Sequence, residues 1–207
     1  MKKLTKIALV ASLACVATAV MASETYKPFS YCTNHSLADL SWEPVISIRS
    51  NPGAGITKDQ FARHVSDFLY LFTKKTGYEA CGLIAFNHQT ESYGVELTTS
   101  KSHIGCVVQV AMVPDGYTSI GETIDSHPVD DDIRLSRQDS CLAISGLVDG
   151  NREHLREGSR FTGDTDGLGA ADWASGTGWV EANGAIWFHN DGENSYEGTV
   201  DNIHPSH

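Results

Sequence analysis

The chain has 207 residues, of which 15 are Lys or Arg and 26 are Asp or Glu, and its formal net charge is −11. Hydrophobic residues make up 41% of the chain, which is typical of a folded domain and excludes a disordered one. An acidic surface repels the phosphate backbone, so nucleic acid is excluded as a partner.

Residues 1–22 have the pattern of a secretory signal peptide. Three lysines precede an apolar run over residues 7–20, and Ala22 closes a small-residue cleavage site. We therefore predict an exported mature protein, periplasmic or secreted, that begins at residue 23. The apolar run is too short to span a membrane and no longer run follows, so no integral membrane segment is expected after cleavage.

Cysteine usage fits an exported protein. An oxidising compartment favours two disulfide bonds among the four cysteines of the mature chain, and the sequence leaves their pairing open. An even number of cysteines also argues against a nucleophilic cysteine paired with His103 or His189. The four are Cys32, Cys81, Cys106 and Cys141.

The first predicted element follows an irregular segment over residues 23–55, which contains several Pro and Gly residues. Thr57-Lys-Asp-Gln60 has the pattern of a capping box, and apolar residues recur after it at helical spacing. The sequence therefore predicts a helix from Thr57 to Thr76 that ends at Gly77.

Strands and a second helix are predicted after this helix. Short runs over 81–86, 93–99, 104–113 and 117–124 predict an antiparallel meander. Ser136 is the predicted N-cap of a helix over 136–147, and residues 149–178 are interpreted as a long irregular excursion. Asn183-Gly184 favours a hairpin over about 179–188. We therefore predict one α+β domain over residues 56–207, with a mostly antiparallel sheet flanked by helices.

Five polar residues of this predicted domain suggest a metal site. Asp125 and His127 are two apart on a strand, so both side chains point to the same face and can share an ion. Asp139, in the first turn of the next helix, can provide a third ligand and leave the fourth position for water. Glu79 can then take a proton from that water, and the Ser136 hydroxyl can donate to an oxyanion.

Each of these residues also has a structural interpretation. Glu79 can be a carboxylate at the edge of a strand, Ser136 a helix N-cap, and Asp139 a favourable charge in the first helical turn. A calcium-loop pattern at Asp164-Thr-Asp166-Gly167 lacks the later oxygen ligands, so we do not expect calcium there.

The motifs around these residues resemble a known family. Residues 77–84 read Gly-Tyr-Glu-Ala-Cys-Gly-Leu-Ile and resemble the Glu-Ala-Cys-Gly-Leu-Leu run of the JAB/MPN domain of JAMM metalloproteases. Residues 124–128 read Ile-Asp-Ser-His-Pro, and residues 135–139 read Leu-Ser-Arg-Gln-Asp. They are similar to that family's His-x-His-Pro and Pro-Ser-x-x-Asp. The resemblance covers about residues 56–147 and implies a cytidine deaminase-like fold.

Position by position, the resemblance implies a zinc ion held by Asp125, His127 and Asp139. It makes Glu79 the general acid/base and Ser136 the oxyanion donor. Asp125 departs from the pattern, because it stands where the family has its first ligand histidine. A carboxylate ligand makes zinc a poorer Lewis acid than imidazole does.

Two functions follow from the resemblance. The first is an exported JAMM-like zinc-dependent hydrolase of a peptide, isopeptide or other amide bond, with a peptide or protein as its substrate. The second is a catalytically inactive JAB-fold module that binds a partner or has a structural role. Asp125 is the residue that divides the two hypotheses.

Overall fold

The computed structural model describes residues 42–109, 111–128, 133–145, 158, 160–161, 176–190 and 193–200. These residues form the predicted α+β fold, with a mostly antiparallel seven-stranded sheet, a separate two-stranded sheet and two helices. In chain order the elements are β1 (Glu43–Arg49), α1 (Lys58–Thr76), β2 (Cys81–Asn87), β3 (Ser92–Thr99), β4 (Thr118–His127), β5 (Ile133–Arg134), α2 (Arg137–Ser145), β6 (Arg160–Phe161), β7 (Gly178–Ala182), β8 (Ala185–Asn190) and β9 (Glu193–Thr199).

The strand order of the large sheet is β1-β3-β2-β4-β7-β8-β9. Only β4 and β7 run parallel in it, and helix α2 lies between these two strands in the chain. Such a parallel pair needs a long connection, whereas the β2–β3 and β7–β8 pairs are joined by short turns. The small sheet pairs β5 with β6.

Helix α1 has the predicted limits. The Thr57 side chain accepts from the Gln60 amide, and the Gln60 side chain accepts from the Thr57 amide, so the capping box is present. The helix ends at Gly77, which has the left-handed φ of 74°. Its apolar side packs on one face of the sheet and forms the core, whose fully buried large residues include Phe61, Leu69, Ile84, Ile124 and Trp179.

Most of the other predicted elements are confirmed. Strands β2, β3 and β4 cover three of the four predicted runs, and α2 starts directly after Ser136. The β7–β8 hairpin turns at Asn183 and Gly184, whose φ values of 49° and 84° are the two positive angles that a type I′ turn requires.

Two predictions about the strands were wrong. Residues 43–49 were expected to be irregular but form β1, and Pro44 is tolerated there because β1 is an edge strand with a register shift beside this proline. Residues 104–113 were expected to form a strand, yet the described residues among them do not. Both edges of β2 are already paired, with β3 and with β4, so no ladder is open to this segment there.

A disulfide bond joins Cys81 to Cys106, and Cys141 is also disulfide-bonded. Cys32, residues 1–22, Asp164-Thr-Asp166-Gly167 and most of the predicted excursion over 149–178 lie outside the described residues. Within the described part of the chain, no helix is long and apolar enough to cross a membrane.

Candidate functional site

The predicted site residues lie where β2 begins and β4 ends. In the register of these two strands Cys81 is opposite Asp125, and the Ser126 amide donates to the Ala80 carbonyl at 3.1 Å. Continued by one residue, this register sets Glu79 beside His127. Because side chains alternate along a strand, Asp125 and His127 share the face of β4 opposite to α1, and Glu79 lies next to this face just before β2 begins.

Asp125 and His127 are close together. The distance from Asp125 Oδ2 to His127 Nε2 is 3.6 Å, and the two side chains are only 15% and 12% exposed. Two ligand atoms on one tetrahedral zinc ion are separated by about 3.4 Å, given bond lengths of about 2.1 Å. The pair can therefore hold a common ion without a change of backbone.

Ser126, between them, faces α1 instead. Its Oγ accepts a hydrogen bond from Thr73 Oγ1 at 2.7 Å and another from the Ala80 amide at 3.2 Å. The residue is fully buried. These contacts fix the end of β4 against both α1 and β2, and they thereby fix the direction of the two neighbouring side chains.

Asp139 is fully buried at the start of α2 and accepts four hydrogen bonds. Its Oδ1 accepts from Ser102 Oγ at 2.6 Å and from the His103 amide at 2.7 Å. Its Oδ2 accepts from the Ser136 amide at 2.6 Å and lies 2.8 Å from His103 Nδ1. The Asp139 amide donates to Ser136 Oγ at 3.2 Å, which completes a capping box.

The charge of Asp139 follows from these contacts. Burial by itself raises the pKa of a carboxyl group, but the hydrogen bonds from His103, Ser102 and Ser136 outweigh it and lower the pKa of Asp139 to about 2. Asp139 is therefore ionised at neutral pH. Both of its oxygens are engaged by two donors each, so neither offers a lone pair to a metal in this arrangement.

His103 is held on three sides. Its Nδ1 contacts Asp139, and its ring lies 4.9 Å from the Tyr78 ring. The absence of a side chain at Gly77 gives it room, because a Cβ there would lie 3.3 Å from His103 Cδ2. The side chain is 21% exposed, and Nε2 has no hydrogen-bond partner among the described residues.

The structure thus brings the five predicted residues to one end of the sheet in two groups. One group is Glu79, Asp125 and His127, and the other is Ser136 with Asp139. Ser102 connects the two groups, because its carbonyl accepts a hydrogen bond from the Glu79 amide at 2.8 Å and its hydroxyl donates one to Asp139. Among the described residues, however, no three His, Cys, Asp or Glu side chains are arranged to hold a metal ion.

The sequence interpretation did not assign three residues to this region, although it considered His103 as a partner for a nucleophilic cysteine. Ser102 and His103 carry no motif, and only their position directly after a predicted strand could have drawn attention to them. Glu181 is fully buried in β7, where its Oε1 accepts from the Gly184 amide at 2.7 Å and its Oε2 has no hydrogen-bond partner in the part of the chain that the structure describes. The sequence signal that could have indicated a buried carboxyl group is the position of Glu181 as the one acidic residue in the apolar run before Asn183-Gly184.

Burial raises the pKa of Glu181 to about 7, although the Gly184 hydrogen bond and the charge of His127 act in the opposite direction. In the register of β4 and β7, Glu181 is opposite Ser126, so its side chain lies on the α1 face of the sheet. It therefore does not belong to the group formed by Glu79, Asp125 and His127.

Comparisons of the chain with protein-family models, with curated proteins and with solved structures each found no match. The fold class and the geometry of the side chains are therefore the observations from which a function is inferred. The region where β2 begins and β4 ends is the best candidate for a functional site, because carboxylate, imidazole and hydroxyl groups lie close together there.

Proposed function

We propose that this chain is an exported JAMM-like hydrolase that cleaves a peptide, isopeptide or other amide bond. The observation that carries the proposal is the 3.6 Å contact of Asp125 with His127 at the end of β4, next to the point where β2 begins and Glu79 precedes it. The sequence motifs that resemble the family fall at this same end of the sheet. A peptide or protein is accordingly the proposed substrate.

The order of the elements supports a JAB/MPN-like fold as part of the proposal. Helix α1 precedes the strand that follows Glu79, and α2 follows the strand that carries Asp125 and His127. The resemblance implies both helices in these places. The parallel β4–β7 pair then places the C-terminal hairpin at the side of β4, where it completes the sheet.

Amide hydrolysis needs a group that moves protons and a donor for the developing oxyanion. Glu79 takes the first role in the proposal, because the register of β2 and β4, continued past Cys81, sets its position opposite His127, and it is only 7% exposed. Ser136 takes the second. Its oxygen accepts from the Asp139 amide, and this contact leaves the hydroxyl hydrogen available for donation.

Zinc is the cofactor that the resemblance implies, and the fit of the described residues to it is incomplete. Asp125 and His127 converge as two ligands, but the oxygens of Asp139 are already engaged. No reaction step is therefore assigned to a metal here. Zinc stays a prediction, and elemental analysis of the dialysed protein and of His127→Ala tests it: about one zinc ion per chain is expected in the first and none in the second.

The experiment for the proposed function is a cleavage screen. The purified protein is incubated with a complex peptide library, and new peptide termini are identified by mass spectrometry. We expect cleavage that disappears in Glu79→Gln and persists in the matched control Glu193→Gln, which removes an exposed carboxylate in β9. Cleavage that is unchanged in Glu79→Gln would contradict the assigned site.

A binding or structural module without chemistry is the second candidate function. The four hydrogen bonds to Asp139 favour it, because they give this residue a structural role in place of the expected ligand role. Absence of both zinc and Glu79-dependent cleavage would support this candidate over the hydrolase.

A further inference from the structure

Trp187 and Tyr196 lie on the face of the sheet that carries the candidate site. Val180 of β7 is opposite Asp125 on one side and opposite Trp187 on the other. Trp187 is in turn opposite Tyr196. Opposite residues point to the same face, so these side chains form one row across β4, β7, β8 and β9. Neighbouring strands are about 4.8 Å apart, so Trp187 and Tyr196 lie about 10 and 14 Å from Asp125 along the row.

The packing of the adjacent residues in β8 supports this direction of Trp187. Ile186 belongs to the core under α1, and Phe188 packs against that core. Trp187 lies between them in the strand and therefore faces the other side of the sheet. Its ring centroid is 5.3 Å from that of Tyr196, at an interplanar angle of 64° that is typical of an edge-to-face contact. We call these two rings the aromatic pair.

The aromatic pair is accessible from solvent. Tyr196 is 56% exposed, the largest exposure of any large hydrophobic residue that the structure describes. Trp187 is half-buried, and its Nε1 has no hydrogen-bond partner in the described part of the chain, although a buried indole N–H usually has one. The register of β8 and β9 shifts between Ile186 and Trp187, and such bulges re-aim side chains at functional sites.

The charge of these strands favours a cationic ligand. Strands β4, β7, β8 and β9 contain two, one, none and two acidic residues in that order, and none of them contains Lys or Arg. Lys58 and Arg63 neutralise two of these carboxylates from α1, on the other side of the sheet. Asp125 adds a carboxylate to the row of the aromatic pair itself. A cation is therefore the ligand charge that this face attracts.

The protein's own cations occupy other rings. An aromatic face attracts a Lys or Arg side chain within about 6 Å of its centre. Among the described residues, no such side chain lies over either ring of the aromatic pair. The rings that do have a Lys or Arg over them are those of Tyr70, Tyr117, Trp179 and Phe188. The aromatic pair therefore keeps this capacity for a cation from another molecule.

We propose that the aromatic pair binds the cationic side chain of a lysine or arginine in the substrate peptide. That the ligand is a substrate rests on the proposed function. An extended peptide spans about 3.3 Å per residue, so the cation stands about three or four residues from the bond that lies at Asp125 and His127. The net charge of −11 also attracts a basic peptide to the protein.

Binding of four synthetic peptides tests this proposal. They are capped Gly-Ser chains of equal length that differ in one central residue, which is lysine, arginine, norleucine or tyrosine. Each is titrated into Glu79→Gln, so that no cleavage interferes, and the indole N–H signal of Trp187 is followed by NMR. We expect the lysine and arginine peptides to shift this signal and to bind about 2- to 30-fold more tightly than the norleucine peptide. Higher salt should reduce this advantage.

Variants of Tyr196 separate a cation contact from a general apolar one. Tyr196→Leu keeps an apolar side chain but removes the ring face, so the advantage of lysine over norleucine should largely disappear. Tyr196→Phe keeps a ring and should retain most of it. Both variants should fold, because the side chain is mostly exposed. Phe68→Leu is the matched control, since it removes a ring on α1 and should leave the advantage unchanged.

Four results would overturn the proposal. Equal binding of the lysine and norleucine peptides would make the aromatic pair a general apolar surface. Tighter binding of the tyrosine peptide would indicate an aromatic occupant instead. An unshifted Trp187 signal, or a lysine advantage that survives in Tyr196→Leu, would place the cation elsewhere.

These titrations need no cleavage, so they fail or succeed independently of the proposed function. A lysine preference at the aromatic pair without Glu79-dependent cleavage would remove the hydrolase and keep the pair as the binding surface of the second candidate function. Glu79-dependent cleavage without a preference for Lys or Arg near the cleaved bond would keep the hydrolase and overturn the role of the pair.

Discussion

Asp139 and Glu181 are both fully buried carboxyl groups, yet their pKa values are displaced in opposite directions. Asp139 accepts four hydrogen bonds at the start of α2, and its pKa is lowered to about 2. Glu181 accepts one from the Gly184 amide in the β7–β8 hairpin, and its pKa is raised to about 7. Burial is common to both, so the number of donors decides the sign.

The two regions therefore use a buried acid differently. The α2 region holds a permanent charge, which fixes the residues that surround it. The β7–β8 hairpin holds the Glu181 carboxyl group, which is uncharged at pH values below about 7. Its ionisation at higher pH lowers the free energy of unfolding.

The largest effect is expected when the charge at the start of α2 is removed. Asp139→Ala leaves the Ser102 hydroxyl and His103 without their buried acceptor, and breaking a buried pair of this kind costs about 3–5 kcal/mol. Urea denaturation measures the free energy of unfolding. Asp59→Ala, at an exposed acidic residue in the first turn of α1, is the control and should cost less than about 1 kcal/mol. Equal losses in the two variants would contradict the special role of the α2 carboxylate.

The next effect concerns the covalent support of the donors to Asp139. The Cys81–Cys106 bond holds the segment that contains Ser102 and His103 to β2, across a sequence separation of 25 residues. The double variant Cys81→Ala/Cys106→Ala should lower the free energy of unfolding by about 3 kcal/mol through the loop entropy of the unfolded chain. The His103 signal in NMR spectra should also broaden. An unchanged signal would show that Asp139 alone orders the segment.

Local patterns predicted the elements well because their signals lie within a few residues. The Thr57–Gln60 capping box, the stop at Gly77 and the Asn183-Gly184 turn all depend on neighbouring side chains, and all three are confirmed. β1 was missed because the pattern of Pro44 indicates a break, and only the edge position of the strand makes it acceptable. Residues 104–113 have the composition of a strand. They cannot pair with β2, because both edges of β2 are already paired with β3 and β4.

The site was only partly predictable for a similar reason. The i, i+2 spacing on a strand predicts that Asp125 and His127 share a face, and they do. The fate of Asp139 depends on Ser102 and His103, which are distant in sequence and belong to no motif. A sequence motif gives residue types and their spacing. It does not show which hydrogen-bond donors, distant in sequence, occupy the oxygens of a carboxylate in the folded chain.

The pH dependence of stability should show the two acids separately. The pKa of Asp139 is about 2 in the folded chain against an ordinary 3.8, so its contribution is present above 3.8 and is lost as pH falls through 2. The pKa of Glu181 is about 7 against 4.5, so its contribution is present below 4.5 and is lost as pH rises through 7. Each is expected to change the free energy of unfolding by about 1–3 kcal/mol.

Glu181→Gln isolates the second of these two windows. Glutamine keeps an oxygen for the Gly184 amide and cannot ionise, so the fall in stability between pH 4.5 and pH 7 should disappear while the loss near pH 2 remains. Urea denaturation across pH measures both. A slope between pH 4.5 and 7 that persists in Glu181→Gln would show that another group titrates there.

The smallest effect is expected at Gln60, which separates capping from burial. Gln60 and Asp139 occupy the same position in their capping boxes, but Gln60 is exposed and uncharged, and its side chain bonds only to Thr57 among the residues that the structure describes. Gln60→Ala removes one hydrogen bond that water can replace, so the free energy of unfolding should fall by about 0.5 kcal/mol, within the low range for caps. The same denaturation measurement applies. A loss as large as that of Asp139→Ala would mean that capping geometry explains both residues, and the buried contacts to Ser102 and His103 would then contribute little.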